Sequence, residues 1–342
     1  FRSFQIAKDL EPPRLSIEQN SALNDQMAEW LKGDGEPTTL IEGFDGQYAA
    51  GFDWLDEKAE KLEEMANTLR ELKAEANQRI VAEKLNEIFQ RDQPNLYEMG
   101  LWIARLDQDD LNFPHYMEAF NGLVSDAQES LSKVEGTDRD KVKALRDFVF
   151  KENGFHGSHS EYYSHANSYV NHVLDDREGL PISLSVLFIE LARQCGLAGV
   201  HGLPVPGQFM VGHEMDGEEL LILDVFEQGK ERTKEELWPV TRGNSSSFEP
   251  YPARDIAARM LRNLAGLEID QRRNPSGALG YLSTLIAIDD SLGMERFQRA
   301  LIYVQLNRYA EAKLDLDWLL EHRPAGLDYS RLEQFRSRLP KG

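Results

Sequence analysis

The chain has 342 residues, 41% hydrophobic and 28% charged, which suits a globular protein of two or three domains and excludes wholesale disorder or a collagen-like repeat. Against 59 Asp and Glu stand 38 Lys and Arg, a net charge of −21, which opposes binding to nucleic acid and to anionic lipid surfaces. The longest apolar stretch, Leu184–Ala192, is broken by Ser185 and Glu190 and falls well short of the ~20 residues of a membrane span.

Residues 1–53 read as an irregular segment, in which Pro12-Pro13, Gly33-Asp34-Gly35 and Glu42-Gly43-Phe44-Asp45-Gly46 surround one amphipathic piece, Ile17–Leu31. Leu55, Leu62, Leu69 and Ala76 then recur every seven residues, with Ala59, Ala66 and Ile80 beside them. That spacing predicts a long amphipathic helix or helical hairpin over 54–92. A homo-oligomeric coiled coil through residues 54–91 is one option, weakened by Lys73 in the seam. Asp92-Gln93-Pro94-Asn95 ends the pattern.

Helical spacing resumes over Leu96–Leu106, Phe113–Lys133 and Thr137–Lys151, the last capped by Thr137 with Asp138 and Asp140 behind it. Phe155–Tyr163 is a polar, aromatic loop and Ser164–Asp176 a short helix. Ile182–Cys195 is an apolar helix entered through Gly179-Leu180-Pro181. Val200–Leu203, Phe209–Glu214 and Glu219–Val225 read as strands, with the chemistry of a hairpin turn at Met215-Asp216-Gly217-Glu218.

The fold class is therefore α+β within a mostly helical chain. Residues 95–242 combine a helical subdomain with a helix and antiparallel sheet, and Gly243–Ser247 is a linker. Residues 253–340 form a helical tail of two pairs, Ala253–Arg273 with Ser276–Asp289 and Met294–Leu306 with Tyr309–His322. In the second pair Ala300, Tyr303, Leu306, Tyr309, Ala312, Leu316, Leu319 and Pro324 keep tetratricopeptide spacing.

Two groups of residues suggest chemistry and do not support it. His156, His159, His165 and His172, with Glu161, lack the tight Cys and His pairs of a zinc site; they read as solvated or capping side chains, and neither metal nor cofactor is expected. Asp107-Gln108-Asp109-Asp110 with Glu118 has Asn112 and Leu111 where a calcium loop needs Gly and an oxygen ligand. The single cysteine, Cys195, forms no internal disulfide and reads as a small core residue. It fits a reducing, cytoplasmic compartment, while the start at Phe1 leaves an upstream signal peptide open.

The segment from Asn167 to Gly229 is more specific. His165-Ala-Asn-Ser-Tyr-Val-Asn-His-Val-Leu, Arg177-Glu-Gly-Leu-Pro-Ile-Ser-Leu-Ser-Val-Leu-Phe, Leu191-Ala-Arg-Gln-Cys-Gly-Leu, Pro206-Gly-Gln-Phe-Met-Val and Leu223-Asp-Val-Phe-Glu-Gln-Gly follow one another at short intervals. Together they resemble the transglutaminase-like "core 2" domain of the bacterial invasion-regulator family, found also in an animal F-box protein. The likeness extends over about Leu96–Leu339. It implies a transglutaminase or papain-like core, in which a Cys at the start of the central helix attacks an acyl group. A His on the next strand takes its proton, and an Asp on the following strand orients the His.

At those three positions the chain carries Ser183, Gln208 and Asp224. A serine without a base stays protonated, and an amide cannot shuttle a proton. His213 falls on the strand face opposite Gln208. The expectation is a degenerate triad in a catalytically inactive binding or regulatory scaffold with a protein or peptide partner. The alternative is a residual serine-dependent hydrolase or acyl transferase, using Ser183 with a histidine from the 156–172 loop. Around the cleft, Asn167 and Asn171 read as holding their loop, Arg177 as an anchor for Asp224 or a carbonyl, Pro181 as the helix entry, and Gly207 as part of the turn into the strand.

Overall fold

A computed structural model describes residues 15–214 and 219–340; the turn read at 215–218 lies outside them. The chain divides into two compact units, Phe1–Lys73 and Ala74–Gly342. In the first, helix α1 (Ile17–Lys32) starts at a capping box. The Ser16 hydroxyl accepts the Gln19 amide at 3.1 Å, and Gln19 Oε1 accepts the Ser16 amide at 2.9 Å. Helices α2 (Thr38–Glu42) and α3 (Tyr48–Phe89) follow. Residues 38–42 and 48–53 are thus helical where the sequence suggests irregular chain, because packing overrides the local breakers. Leu23, Met27, Leu40, Phe44 and Trp54 form a small core. Gly51 admits the Phe44 ring where a Cβ would lie 2.5 Å from it.

The second unit takes Val81, Leu85 and Ile88 into the main core. It continues with α4 (Leu96–Ala104), α5 (Phe113–Ser132) and α6 (Asp138–Asp147), the last opened by the Thr137 capping box. A π turn at Phe148–Glu152 leads to β1 (His156–Gly157). A 3-10 turn at His165–Ser168 and helix α7 (Val170–Asp176) come next, then β2 (Glu178–Gly179), which pairs with β1 in parallel.

Helix α8 (Pro181–Gln194) is the buried centre, with every residue from Ile182 to Ala192 inside. Its one buried carboxylate, Glu190, accepts the Leu96 amide at 2.8 Å. A negative charge at the amino end of α4 is favourable there, because it meets unpaired amides and the positive end of the helix dipole.

Four antiparallel strands, β3 (Val200–Leu203), β4 (Met210–His213), β5 (Leu221–Asp224) and β6 (Lys230–Arg232), lie in sequence order. Val211 pairs with Leu223, and Ile222 with Arg232. The pleat gives the sheet two faces. Val200, Val211, Leu221 and Leu223 join the core that contains α8. Leu203, Met210 and Ile222 pack with Leu237 of α9 (Lys234–Thr241). The tail comprises α10 (Ala253–Gly266), α11 (Pro275–Ile288), α12 (Gly293–Gln305), α13 (Tyr309–His322) and α14 (Tyr329–Arg338). Of these, α10, α11 and, through Ile302, α12 reach the main core, while Ala300, Leu316, Leu319 and Leu332 form a separate cluster.

Candidate functional site at the amino end of the central helix

The motif residues around α8 are held chiefly by backbone atoms. Parallel pairing of β1 with β2 draws the Ser158 amide to Gly179 O at 3.0 Å and the His156 amide to Arg177 O at 2.8 Å. Asn167 Nδ2 donates to Ser158 Oγ at 2.9 Å and to Glu161 O at 2.7 Å, which fixes the aromatic loop. Pro181 sits in the first turn of α8, where a missing amide costs nothing.

Ser183 lies one turn into α8 and is fully buried, at 0% exposure. Its Oγ accepts the Leu180 amide at 3.0 Å and donates to Asn167 O at 2.6 Å, with Leu180 O a longer alternative at 3.2 Å. Its neighbour Gly179 is glycine for lack of room, since a Cβ there would lie 2.8 Å from Val173 and 3.0 Å from Ser183 Oγ. The hydroxyl is therefore a structural tie between the 3-10 turn and the start of α8. Among the described residues it hydrogen-bonds to no imidazole.

Gln208 is exposed and precedes β4 in a turn set by Gly207, whose φ of 71° favours glycine. Its carbonyl accepts Arg259 Nη2 at 2.6 Å. Asp224, nearly buried, ends β5. Sharing a face with Ile222, it is directed to the α9 side of the sheet and away from α8. Arg232 Nε and Nη2 donate to Asp224 Oδ2 at 3.1 and 2.8 Å, and the Glu227 amide donates to Oδ1 at 3.3 Å. Among the described residues no hydrogen bond joins Ser183, Gln208 and Asp224.

Of the two partners read for Arg177, Asp224 is anchored by Arg232. Arg177 instead ends α7 with a φ of 62°, and its guanidinium lies 4.5 Å from the centre of the Phe155 ring. Burial holds its pKa below the ordinary arginine value. Asn171, also buried, donates to Gln108 Oε1 at 2.8 Å.

The four histidines have separate surroundings. His156 Nδ1 is 3.1 Å from Gly154 O, His159 Nε2 is 3.8 Å from Glu227, His165 Nε2 is 3.0 Å from Glu268, and His172 Nδ1 is 3.9 Å from Asp176. Among the described residues no three His, Cys, Asp or Glu are placed to hold a metal. Cys195 caps the far end of α8, and burial pushes its thiol pKa up to about 11, so it is a thiol and not a thiolate at neutral pH.

A polar hub escapes the sequence reading. The hydroxyls of Tyr169 and Tyr281 both donate to Asp107 Oδ2 and lie 3.3 Å from each other. Nearby, Glu268 receives Arg272 at 3.1 Å and Asn274 at 2.7 Å in addition to its contact with His165. Asp107 belongs to the stretch that reads as acidic composition, and no local spacing connects it with a tyrosine 174 residues away.

Comparison with known proteins agrees with the motif segment. The family model described as the transglutaminase-like superfamily matches residues 114–262. A UPF0162 protein of Xylella fastidiosa is 30% identical over 241 residues, covering 67% of this chain and 84% of that protein. One from Vibrio cholerae is 25% identical over 210 residues, 59% of this chain and 76% of the relative. Human F-box only protein 21 is 30% identical over 135 residues, 37% of this chain and 21% of its own length. With most of the Xylella protein matched at that identity, the chain belongs to the UPF0162 family and carries a transglutaminase-like domain.

Proposed function

We propose that this chain is a catalytically inactive transglutaminase-like protein of the invasion-regulator type, serving as a scaffold that binds a protein or peptide. The observation that carries the reading is the Ser183 hydroxyl, excluded from solvent and engaged by the backbone at both its donor and acceptor sides. A nucleophile needs an adjacent base and an open approach for the acyl carbon, and this hydroxyl has neither. Gln208 cannot act as a base, and the Asp224 carboxylate is neutralised by Arg232. In this reading the helix-and-sheet core is papain-like in plan with its relay dismantled.

The tail is read as a tetratricopeptide-like hairpin that offers a second binding surface. Ala300 and Ala312 are fully buried where α12 meets α13, and Pro324 packs so tightly on Gly293 that a Cβ there would lie 2.4 Å away. Copies associate through residues 54–91 in the same reading, which draws on the exposed Leu62, Met65, Leu69 and Leu72.

The test is covalent labelling. Full-length protein is incubated with fluorophosphonate and p-nitrophenyl ester probes, and Ser183→Ala is run in parallel. The expected result is no adduct at Ser183 and identical background in both proteins. An adduct on Ser183 that disappears in Ser183→Ala establishes the serine hydrolase alternative in its place.

A further inference from the structure

We infer that Arg259 and the aromatic loop beside it form a subsite for a carboxylate carried by a bound peptide, an inference that rests on reading the domain as a binding module. Arg259, on α10, is fixed by the start of β4. Its Nη2 donates to Gln208 O at 2.6 Å and to Val205 O at 3.2 Å, and its guanidinium lies 5.2 Å from the centre of the Phe209 ring. Both bonds go to neutral carbonyls, and among the described residues no carboxylate forms an ion pair with Arg259.

Arg254, on the same helix, is held in a similar way by Ile288 O and the Phe89 ring, but other arginines of the tail are paired with carboxylates. On the same helix Arg262 takes Glu295 at 2.7 Å, and on α12 Arg299 takes Asp315 at 2.6 Å. Burial lowers the pKa of Arg259, as expected for a cation desolvated without a counter-ion. A guanidinium oriented in advance by two carbonyls and a ring loses little freedom when a carboxylate meets its remaining donors.

The surroundings narrow the class of ligand. The Tyr162 ring, 39% exposed, lies 5.9 Å from Phe226, and the His159 ring lies 4.6 Å from the same phenyl. Tyr162 and Tyr251 are both within electrostatic range of Arg259, and the Gln208 amide is exposed at the point where the guanidinium is tied down. One cation, an exposed amide and an aromatic bed suit a peptide with a carboxylate next to an apolar side chain. A phosphate, with nearly two charges, is under-matched by one arginine. The charge of −21 opposes non-specific binding of acidic segments.

Fluorescence anisotropy of the full chain tests this with a fluorescein-labelled peptide amide, Gly-Ser-Phe-Glu-Gly-Ser, and its counterpart with Gln in place of Glu. The Glu peptide is expected to bind at least about tenfold more tightly, with the ratio shrinking between about 50 and 300 mM salt. Arg259→Gln should abolish the preference. Tyr162→Ala, at an exposed side chain, should weaken the Glu peptide about threefold with Tm unchanged, which decides the matter even if Arg259→Gln unfolds. A free-acid form of the Gln peptide that binds as tightly as the Glu amide, with the Gln amide weaker than both, also supports the subsite and shows that it takes a terminal carboxylate as well as a side-chain one.

Equal affinity for Glu and Gln amides, no binding by the folded wild type, or a preference that survives Arg259→Gln overturns the inference. Failure here in a protein unlabelled at Ser183 leaves the inactive reading standing. Labelling at Ser183 defeats that reading whether or not the peptide binds.

Discussion

The amino end of α8 and the hub around Asp107 and Glu268 both draw on the stretch from His165 to Tyr169, yet they are built oppositely. At Ser183 the hydrogen-bond partners are peptide groups, and no titratable side chain takes part. At the hub, side chains from distant parts of the chain meet: Asp107, Tyr169 and Tyr281 in one set, and His165, Glu268, Arg272 and Asn274 in the other. The serine is a packing joint made with peptide groups, whereas the ionisable groups of the hub connect distant segments. Polarity in a motif is therefore a poor guide to reactivity until its partners are known.

The contrast is broken most forcefully at Glu268, a carboxylate 3% exposed. Glu268→Ala leaves the side chains of Arg272 and Asn274 without their acceptor and removes the partner of His165, and it should cost about 3 kcal/mol, read as a lower midpoint in urea unfolding. A loss below about 0.5 kcal/mol would mean that water replaces the carboxylate without penalty.

Ser183→Ala is the milder break. The Leu180 amide and Asn167 carbonyl retain their mutual bond at 3.0 Å, so the loss should be about 1–2 kcal/mol in the same assay. Retained stability combined with lost hydrolytic turnover would invert the comparison and make the helix end the functional centre.

Lowering the pH sharpens it at smaller amplitude. Burial depresses the pKa of His165, with Glu268 opposing in part, and burial likewise depresses His201. A depressed imidazole is neutral in the folded state and takes a proton more readily once unfolded. Its contribution is therefore complete above the unfolded pKa of about 6.5 and is lost as the pH falls through the folded value. Stability should decline below pH ~6.5 by at most ~1.4 kcal/mol per pH unit for each imidazole. His165→Gln should flatten that slope, and an unchanged slope would remove His165 from the account.

Much of the chain is legible without coordinates where the signal is local. Heptad spacing gives α3, Thr137 marks the start of α6, and Tyr309–His322 emerges with both ends correct from the spacing of Tyr309, Ala312, Leu316 and Leu319 and the stop at Pro324. Strand alternation separates His213 from Gln208, and the pleat puts His213 with Val211 on the α8 side. The failures are non-local. Strand β6 is three residues, two of them exposed and charged, too short and too polar to announce itself, so Arg232 is missed and Arg177 is offered as a partner of Asp224 or of a carbonyl. Nothing in the residues around Ser183 reveals that its hydroxyl is sealed, because Asn167 O arrives from sixteen positions earlier.

Helix α8 also bears on where this protein can be cut. Its buried Glu190 holds the first amide of α4, and α4 precedes the stretch that matches the superfamily, 114–262. The far limit of that stretch falls within α10, upstream of Glu268 and Tyr281. An excised piece with those limits would end in mid-helix and forfeit both halves of the Asp107 joint, since Asp107 and Tyr281 lie on either side of it. The stretch that matches the superfamily model is smaller than the compact unit Ala74–Gly342 that contains it.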